Sequence, residues 1–362
     1  MINKLFKLDW ILMSAVFLLL FLGMLALYSI SLEGSVFNNS NFQKQIISII
    51  IGLILMLTLS FYDYRILNFH STKLYFIALA LLAAVVFFGT TIRGTTGWLD
   101  FFSYHIQPVE IAKLILIIFL ASFLSQKKTQ LSIVVRIISS LVLIFIPIFL
   151  ILKQPDLGSS AIIIGVWITL LFCSGLNKKN LFILTLSIVL ITAGGWFFLK
   201  SYQKERIVNF VKPYQDPAGS GYNVIQSIVA VGSGGLTGKG LGHGSQSQLN
   251  FLPEKHTDFI FAVIAEDLGF LGAAAVFILF GIIFWRLKEI AESARDNFGY
   301  LLAIGVIAML FFQFLVNVGM NIGVMPVAGV PLPFLSYGGS AMITVLMAIG
   351  IMQSVYMRRI KI

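Results

Sequence analysis

The stretch FLPEKHTDFIFAVIAEDLG, residues 251–269, opens an apolar run with a carboxylate, Asp258, at its mouth and carries Glu266 and Asp267 two turns further in. Acidic groups are costly inside hydrocarbon, and those found there face the protein interior, pair with another group or line a water-filled space. The reading of these three acids depends on whether the run crosses a membrane.

Composition answers that first question. Of 362 residues, 58% are hydrophobic, 11% are charged and 33 are Phe. A soluble chain of this length needs far more polar surface to cover its core, so the composition is that of an integral membrane protein. About 20 apolar residues are needed to cross roughly 30 Å of hydrocarbon as a helix. Ten runs approach that length, at about 10–29, 45–60, 74–89, 109–124, 134–152, 158–175, 180–199, 259–285, 299–319 and 339–357. The expected fold is therefore an all-α integral membrane protein. It is a single polytopic domain over 1–362, a bundle of ten transmembrane helices, with one long extracytoplasmic segment at about 200–257 between helices 7 and 8. Lys4 and Lys7 precede the first run as they would in a signal peptide, but no small-residue cleavage site follows, so the run reads as an uncleaved span.

Ten crossings put both termini on one side. Most of the 25 Lys and Arg, including Arg65, Lys127, Lys178, Arg286, Arg295 and Arg358, fall on segments that share that side. Short loops rich in Lys and Arg stay cytoplasmic, so both termini are expected there. The net charge of +10 is then an orientation signal beside anionic lipid, and a nucleic-acid function has little support. Cys173, the one cysteine, forms no internal disulfide and reads as a small core residue. The long segment and three compact loops dense in Pro, Gly and polar residues lie on the other side, which locates function on the outer face.

Several motifs there have a structural and a functional reading. The Gly-rich run ending in Lys239 fails the phosphate-loop spacing, because Ser233 takes the first Gly position and Gly240 the hydroxyl position. It reads either as an irregular loop with many positive-φ positions or as a nest of N–H groups that, with Lys239 and Lys255, receives a pyrophosphate. Glu110 and Lys113 share a helical face near the outer end of the fourth run, as a structural ion pair or as the wall of a polar cavity. Gln313, Asn317 and Asn321 form a stripe every four residues, suited to joining neighbouring helices. Asp156 opens the sixth run, where an N-cap is the simplest role. Asp258 follows Thr257, a good N-cap, and is expected in the first turn of its helix. The run 259–285 would make a helix of about 40 Å, so it must tilt strongly or stand its first two turns above the hydrocarbon. In the second case Asp258 sits at one end of a polar vestibule, placed to take a proton from an incoming hydroxyl. His256, Ser245 and Ser247 lack a nucleophile elbow, and the four histidines show no metal-ligand spacing.

These residues resemble a known family, the SEDS proteins (shape, elongation, division and sporulation), and most closely its elongation branch. The resemblance runs over nearly the whole chain. It is strongest in GSGYNVIQS, GSQSQLNFLPEKHTDFIFAVIAEDLGFLG and NIGVMPVAGVPLPFLSYGGSAM, with support from SFYDYR, IQPVEIAKL and KQPDLG. It implies a ten-helix glycosyltransferase that polymerises lipid II, the undecaprenyl-pyrophosphate-linked disaccharide, into peptidoglycan strands outside the cytoplasmic membrane. The family's essential Asp falls on Asp258, its paired span charges on Glu110 and Lys113, and its QPDLG carboxylate on Asp156. Asp258 is the expected catalytic residue; Glu110, Lys113, Asp156, Lys239, His256 and Glu266 are the expected substrate-binding residues. Basic residues, with or without a divalent cation (Mg or Mn), are expected to stabilise the departing pyrophosphate; no nucleotide is required. The implied partners are a class B penicillin-binding transpeptidase and the elongation machinery. Val109, Asp267 and Gly97 depart from the family pattern, and the last puts the role of the 91–101 loop in question. A flippase of the lipid-linked precursor is the rival reading, and it would need polar access from both sides in turn.

Overall fold

The computed structural model describes residues 6–32, 40–92, 95–101, 104–126, 133–175, 210 and 220–360. The chain forms α1 (Trp10–Ser31), α2 (Ser40–Phe61) and α3 (Arg65–Phe88), then strands β1 (Thr90–Ile92), β2 (Thr95–Phe101) and β3 (Tyr104–Ile106). Helices α4 (Pro108–Ser125), α5 (Ile133–Lys153), α6 (Leu157–Cys173), α7 (Ser220–Ser233) and the single turn α8 (Ser245–Gln248) follow. Three long helices, α9 (Ile260–Glu292), α10 (Asn297–Asn321) and α11 (Gly339–Met357), complete it. Eight of these helices are long and apolar enough to cross a membrane, and α6 is apolar but shorter at 17 residues. The expected seventh span, 180–199, lies outside the described residues, as do 200–209 and 211–219 of the long segment.

Helix α10 is the hub, packed against α4, α6 and α9, while α11 packs along α2 and α1 along α9. Helix α4 is buried on every side, which accounts for an apolar sequence without an amphipathic stripe. At the end of the bundle shared by Trp10 and Met357, polar bonds lock helices distant in sequence. Asp9 caps α1 by accepting from Leu12 N at 3.1 Å and pairs with Arg286 of α9 at 2.8 Å. Gln353 of α11 accepts from Asp9 N at 2.8 Å and donates to Asp9 O at 3.1 Å. Tyr64 donates to Asp296 at 2.8 Å. Burial first, and then the Asp296 carboxylate, pushes the Tyr64 hydroxyl well above its ordinary value, so it remains a donor.

At the opposite end the structure corrects three expectations. The 91–101 loop is part of a three-stranded antiparallel sheet in the order β1-β2-β3, with Thr90 opposite Trp98 and Asp100 opposite His105. Thr, Ile, Trp, Phe and Tyr supply its β-forming residues, a signal that a search for Pro and Gly passes over. Helix α9 begins at Ile260, so Asp258 precedes the helix in a turn. The long run is not one straight rod either, because Gly269 has φ 65 and ψ −158 and breaks it. Residues 270–292 then measure about 34 Å, close to one bilayer crossing.

The break has a defined cause. The segment 234–240 lies against it backbone to backbone, with Lys239 N and Gly240 N donating to Glu266 O and Asp267 O, each at 3.0 Å. In return Phe270 N donates to Gly235 O at 2.8 Å. These bonds satisfy groups that the interrupted helix leaves open, as a low-dielectric setting demands. A Cβ on Gly269 would stand 2.3 Å from Gly238 N, and one on Gly234 1.9 Å from Ala265 O, so the contact requires glycine on both sides. Gly269→Ala is accordingly expected to lower the thermal unfolding midpoint of the detergent-solubilised protein clearly. Gly281→Ala, where a Cβ meets nothing within 4 Å, should not.

Candidate functional site

An open cavity of about 860 Å³, counting the space in its mouth, lies at the sheet-bearing end of the bundle. Its lining includes Trp98, Gln107, Asp156, Thr257, Asp258, Gly329, Tyr337 and Ser340, which come from β2, the starts of α4, α6 and α11, the turn before α9 and the α10–α11 loop. Its two charged side chains among the described residues are both acidic.

Asp258 is held from behind. Its backbone carbonyl accepts from Asn317 Nδ2 at 2.9 Å and from Asn321 Nδ2 at 3.0 Å. In a continuing helix that carbonyl would instead accept from Ala262 N. Ala262 N donates to Asn321 Oδ1 at 3.1 Å, so one amide of α10 intercepts both halves of the missing helical bond. The turn carrying Asp258 is thereby kept out of α9 while its polar groups remain satisfied. Asn317 Nδ2 also donates to Val330 O at 2.8 Å, tying the α10–α11 loop to the same point. That loop is stitched to the turn again where Ser336 Oγ donates to Thr257 O at 2.6 Å and Tyr337 N to His256 O at 2.9 Å. Gly329, with φ 65, approaches Asp258 closely: a Cβ there would lie 3.8 Å from Asp258 Oδ2. The missing side chain leaves that side of the carboxylate uncrowded.

Asp156 both caps and lines. Its Oδ1 accepts from Ser159 N at 2.9 Å at the start of α6, and the residue reaches the cavity wall. The other expected binding residues lie elsewhere. Glu110 and Lys113 pair at 2.8 Å, each 2% exposed, inside the bundle and away from the cavity lining. Glu110 Oε2 has no hydrogen-bond partner among the described residues. Lys239 is bound to Glu266 at 3.0 Å and to Ser245 Oγ at 2.8 Å. Glu266 also accepts from Gln246 N at 2.9 Å and Ser247 N at 3.0 Å. The Gly-rich loop thus encloses an anion belonging to the protein, and its N–H groups serve Glu266 and the α9 break. Lys255 donates to Ser247 O at 2.5 Å and Asn250 Oδ1 at 2.8 Å. His256 contributes its carbonyl to the stitching, and its side chain is not part of the cavity lining.

Two features were not anticipated. Trp98 and Gln107 line the cavity, although a Trp beside Gly97 and a Gln before Pro108 carry no local signal for this. The cavity also has no Lys or Arg among its described lining, because Lys113, Lys239 and Lys255 all serve protein partners. Lys200, Lys204, Arg206 and Lys212 lie outside the described residues.

The chain matches the FtsW/RodA/SpoVE family of cell cycle proteins over residues 9–361 and belongs to that family. Peptidoglycan glycosyltransferase MrdB of Escherichia coli is 41% identical over 318 residues, covering 88% of this chain and 86% of MrdB. A chain solved in a study of how a peptidoglycan synthase complex coordinates polymerization and crosslinking superposes with a TM-score of 0.81 at 34% identity, covering 96% of this chain and 97% of its own. Rod shape determining protein RodA of Thermus thermophilus superposes with a TM-score of 0.72 at 27% identity, covering 98% of each chain. The protein is a multi-pass membrane protein of this family.

If Asn321 holds the turn out of α9, Asn321→Ala strands Ala262 N and should cost about 1–3 kcal/mol of stability. The loss is to be read from denaturant or thermal unfolding, and a value indistinguishable from the parent would show the clamp to be dispensable.

Proposed function

We propose that this chain is a peptidoglycan glycosyltransferase that polymerises lipid II into glycan strands on the outer face of the cytoplasmic membrane, with Asp258 as general base. The observation that carries the reading is a half-buried carboxylate on the wall of an open cavity, its backbone fixed by two buried amides. The glycosyltransferase named in the E. coli relative MrdB and the peptidoglycan synthase complex to which the similar solved chain belongs support it. Asp258 takes the proton of the acceptor sugar's 4-hydroxyl as that oxygen bonds to the donor's anomeric carbon. The bond from that carbon to the pyrophosphate oxygen breaks, and the lipid-linked pyrophosphate departs with the electron pair.

The pyrophosphate needs positive charge. Two carboxylates on one cavity wall suit a divalent cation such as Mg or Mn, which keeps several waters and needs one or two carboxylates beside substrate phosphates. Asp156 and Asp258 are the residues that would hold it, and it would supply charge stabilisation of the leaving group. The basic residues between 200 and 212 are a second source of positive charge. The distribution of Lys and Arg supports cytoplasmic termini; with that orientation the cavity would lie outside, where the donor's own pyrophosphate bond would drive the reaction. A class B penicillin-binding transpeptidase is the proposed partner and cell elongation the proposed setting.

The test is chain growth from lipid-linked disaccharide by purified protein with its transpeptidase partner. Asp258→Asn should reduce the rate on the order of 10²–10⁴-fold while leaving the unfolding midpoint in place. Growth at the parental rate would remove the base assignment, and transbilayer movement of the substrate without growth would favour a flippase.

A further inference from the structure

The proposed proton transfer leaves two cavity residues without a role. Trp98 lies on β2, where the pairing with Thr90 and a 3.3 Å bond from Thr90 Oγ1 to its carbonyl fix its place. It is half-buried and lines the cavity, and its indole N–H makes no hydrogen bond among the described residues. Gln107 is anchored by its backbone, whose N–H donates to Ser340 Oγ at 2.9 Å; the residue lines the cavity, and its side-chain amide makes no hydrogen bond among the described residues. The residue before Trp98 is Gly97, and a Cβ on it would lie 3.8 Å from Gln107 Nε2 and 4.0 Å from Gln154 Oε1. Gln154 is 1% exposed; its Nε2 donates to Leu82 O at 3.0 Å, but its Oε1 has no partner among the described residues. An aromatic residue and an amide residue therefore both border this one cavity.

The lining also says what kind of ligand belongs there. Beside Pro155, Leu157, Ala328, Pro331 and Ala341 the lining carries an amide, hydroxyls and two carboxylates, a mixture that an acyl chain or a bare phosphate matches only in part. An uncharged sugar ring suits both components. Its C–H face is apolar with hydrogens of partial positive charge, which match the negative face of an indole, and its edge carries donors and acceptors for amides and hydroxyls.

We propose that Trp98 and Gln107 form a saccharide subsite that seats an N-acetylated pyranose beside Asp258, with the indole against the ring's C–H face and the Gln107 amide bonded to its polar edge. The proposal rests on the polymerase reading for its substrate and deepens it. The sheet β1–β3 then acts as a holder that brings an aromatic platform over a carboxylate supplied by the helices. The ring belongs to the incoming donor or to the growing strand, and these have the same chemistry.

The experiment compares Trp98→Ala, Trp98→Leu, Trp98→Phe and Gln107→Ala with the parent in the full chain and its transpeptidase partner. Chain growth is followed as KM for lipid II, kcat and strand length, alongside unfolding midpoints. Trp98→Ala is expected to raise KM about tenfold if the platform holds the donor, or to shorten strands about tenfold if it holds the acceptor. Gln107→Ala should move the same parameter in the same direction, and Trp98→Phe should stay within about threefold of the parent. If Trp98→Ala does not fold, Trp98→Leu against Trp98→Phe separates bulk from aromatic face. Parental KM and strand length in a folded Trp98→Ala or Trp98→Leu protein would overturn the subsite. Saturation-transfer NMR with a soluble tetrasaccharide of alternating N-acetylglucosamine and N-acetylmuramic acid gives a readout independent of turnover. Signal from the parent that disappears in Trp98→Ala supports the subsite even if no chain growth is seen, a result that would count against the polymerase reading alone. Equal signal from both would overturn the subsite.

Discussion

The amide of Asn321 is the point on which the functional end of this molecule depends. By donating to the Asp258 carbonyl and accepting from Ala262 N, it occupies both partners of what would be the first helical bond of α9. Without that interception nothing in the local sequence prevents the helix from extending backward through Thr257, itself a good capping residue. Asp258 would then ride on a helix surface, its position set by that helix alone. With it, the carboxylate stands on a turn clamped to α10 and stitched to the α10–α11 loop by Ser336 and Tyr337. A side chain on a turn is ordinarily less well placed than one on a helix. Here the buried amides restore rigidity while leaving the carboxylate at the cavity.

The second interruption of α9, at Gly269, follows the same logic by other means. Breaking a helix within a membrane protein exposes carbonyls and N–H groups that must find partners inside the protein. The Gly-rich segment 234–240 supplies them from backbone alone, and its glycines are needed because the two chains come close enough that a Cβ would collide. Glu266 then fills the concavity that such a loop creates, accepting from Gln246 N and Ser247 N and pairing with Lys239. The three acids that opened the question thus part company. Asp258 reaches the cavity, Glu266 anchors the loop, and Asp267 accepts from Ser29 of α1 at 2.5 Å.

What was legible in the sequence divides along the same line. The spans could be read because bilayer thickness converts directly into a count of consecutive apolar residues, and runs such as 10–29 and 339–357 coincide with α1 and α11. The N-cap role of Asp156 and the pairing of Glu110 with Lys113 were legible because each depends on residues three apart. The start of α9 was not, because its determinant sits 63 positions away on α10. The polar stripe of Asn317 and Asn321 was visible as a pattern, but its target was not. The Gly-rich loop was readable as a nest of N–H groups, while the identity of the anion, Glu266, is a fact of the folded chain. The sheet was missed because strands of three, seven and three residues leave little periodicity to detect.

The absence of Lys and Arg from the described cavity lining changes how the reaction is best pictured. A site evolved around a fixed cluster of lysines would hold pyrophosphate as tightly after the transfer as before it, which slows release of the lipid-linked product. On the proposed reading, an acidic wall would retain an anion only through a counter-charge from outside the described lining, such as a divalent cation. The same wall suits the other half of the proposed chemistry, because a carboxylate at the cavity is placed to accept the proton of a sugar hydroxyl. The arrangement therefore separates two demands that conflict in a single positively charged pocket. On the proposed reading, the described groups of the cavity, Asp258, Asp156, Trp98 and Gln107, suit a neutral sugar and its hydroxyl, and the positive charge for the pyrophosphate would come from outside that lining.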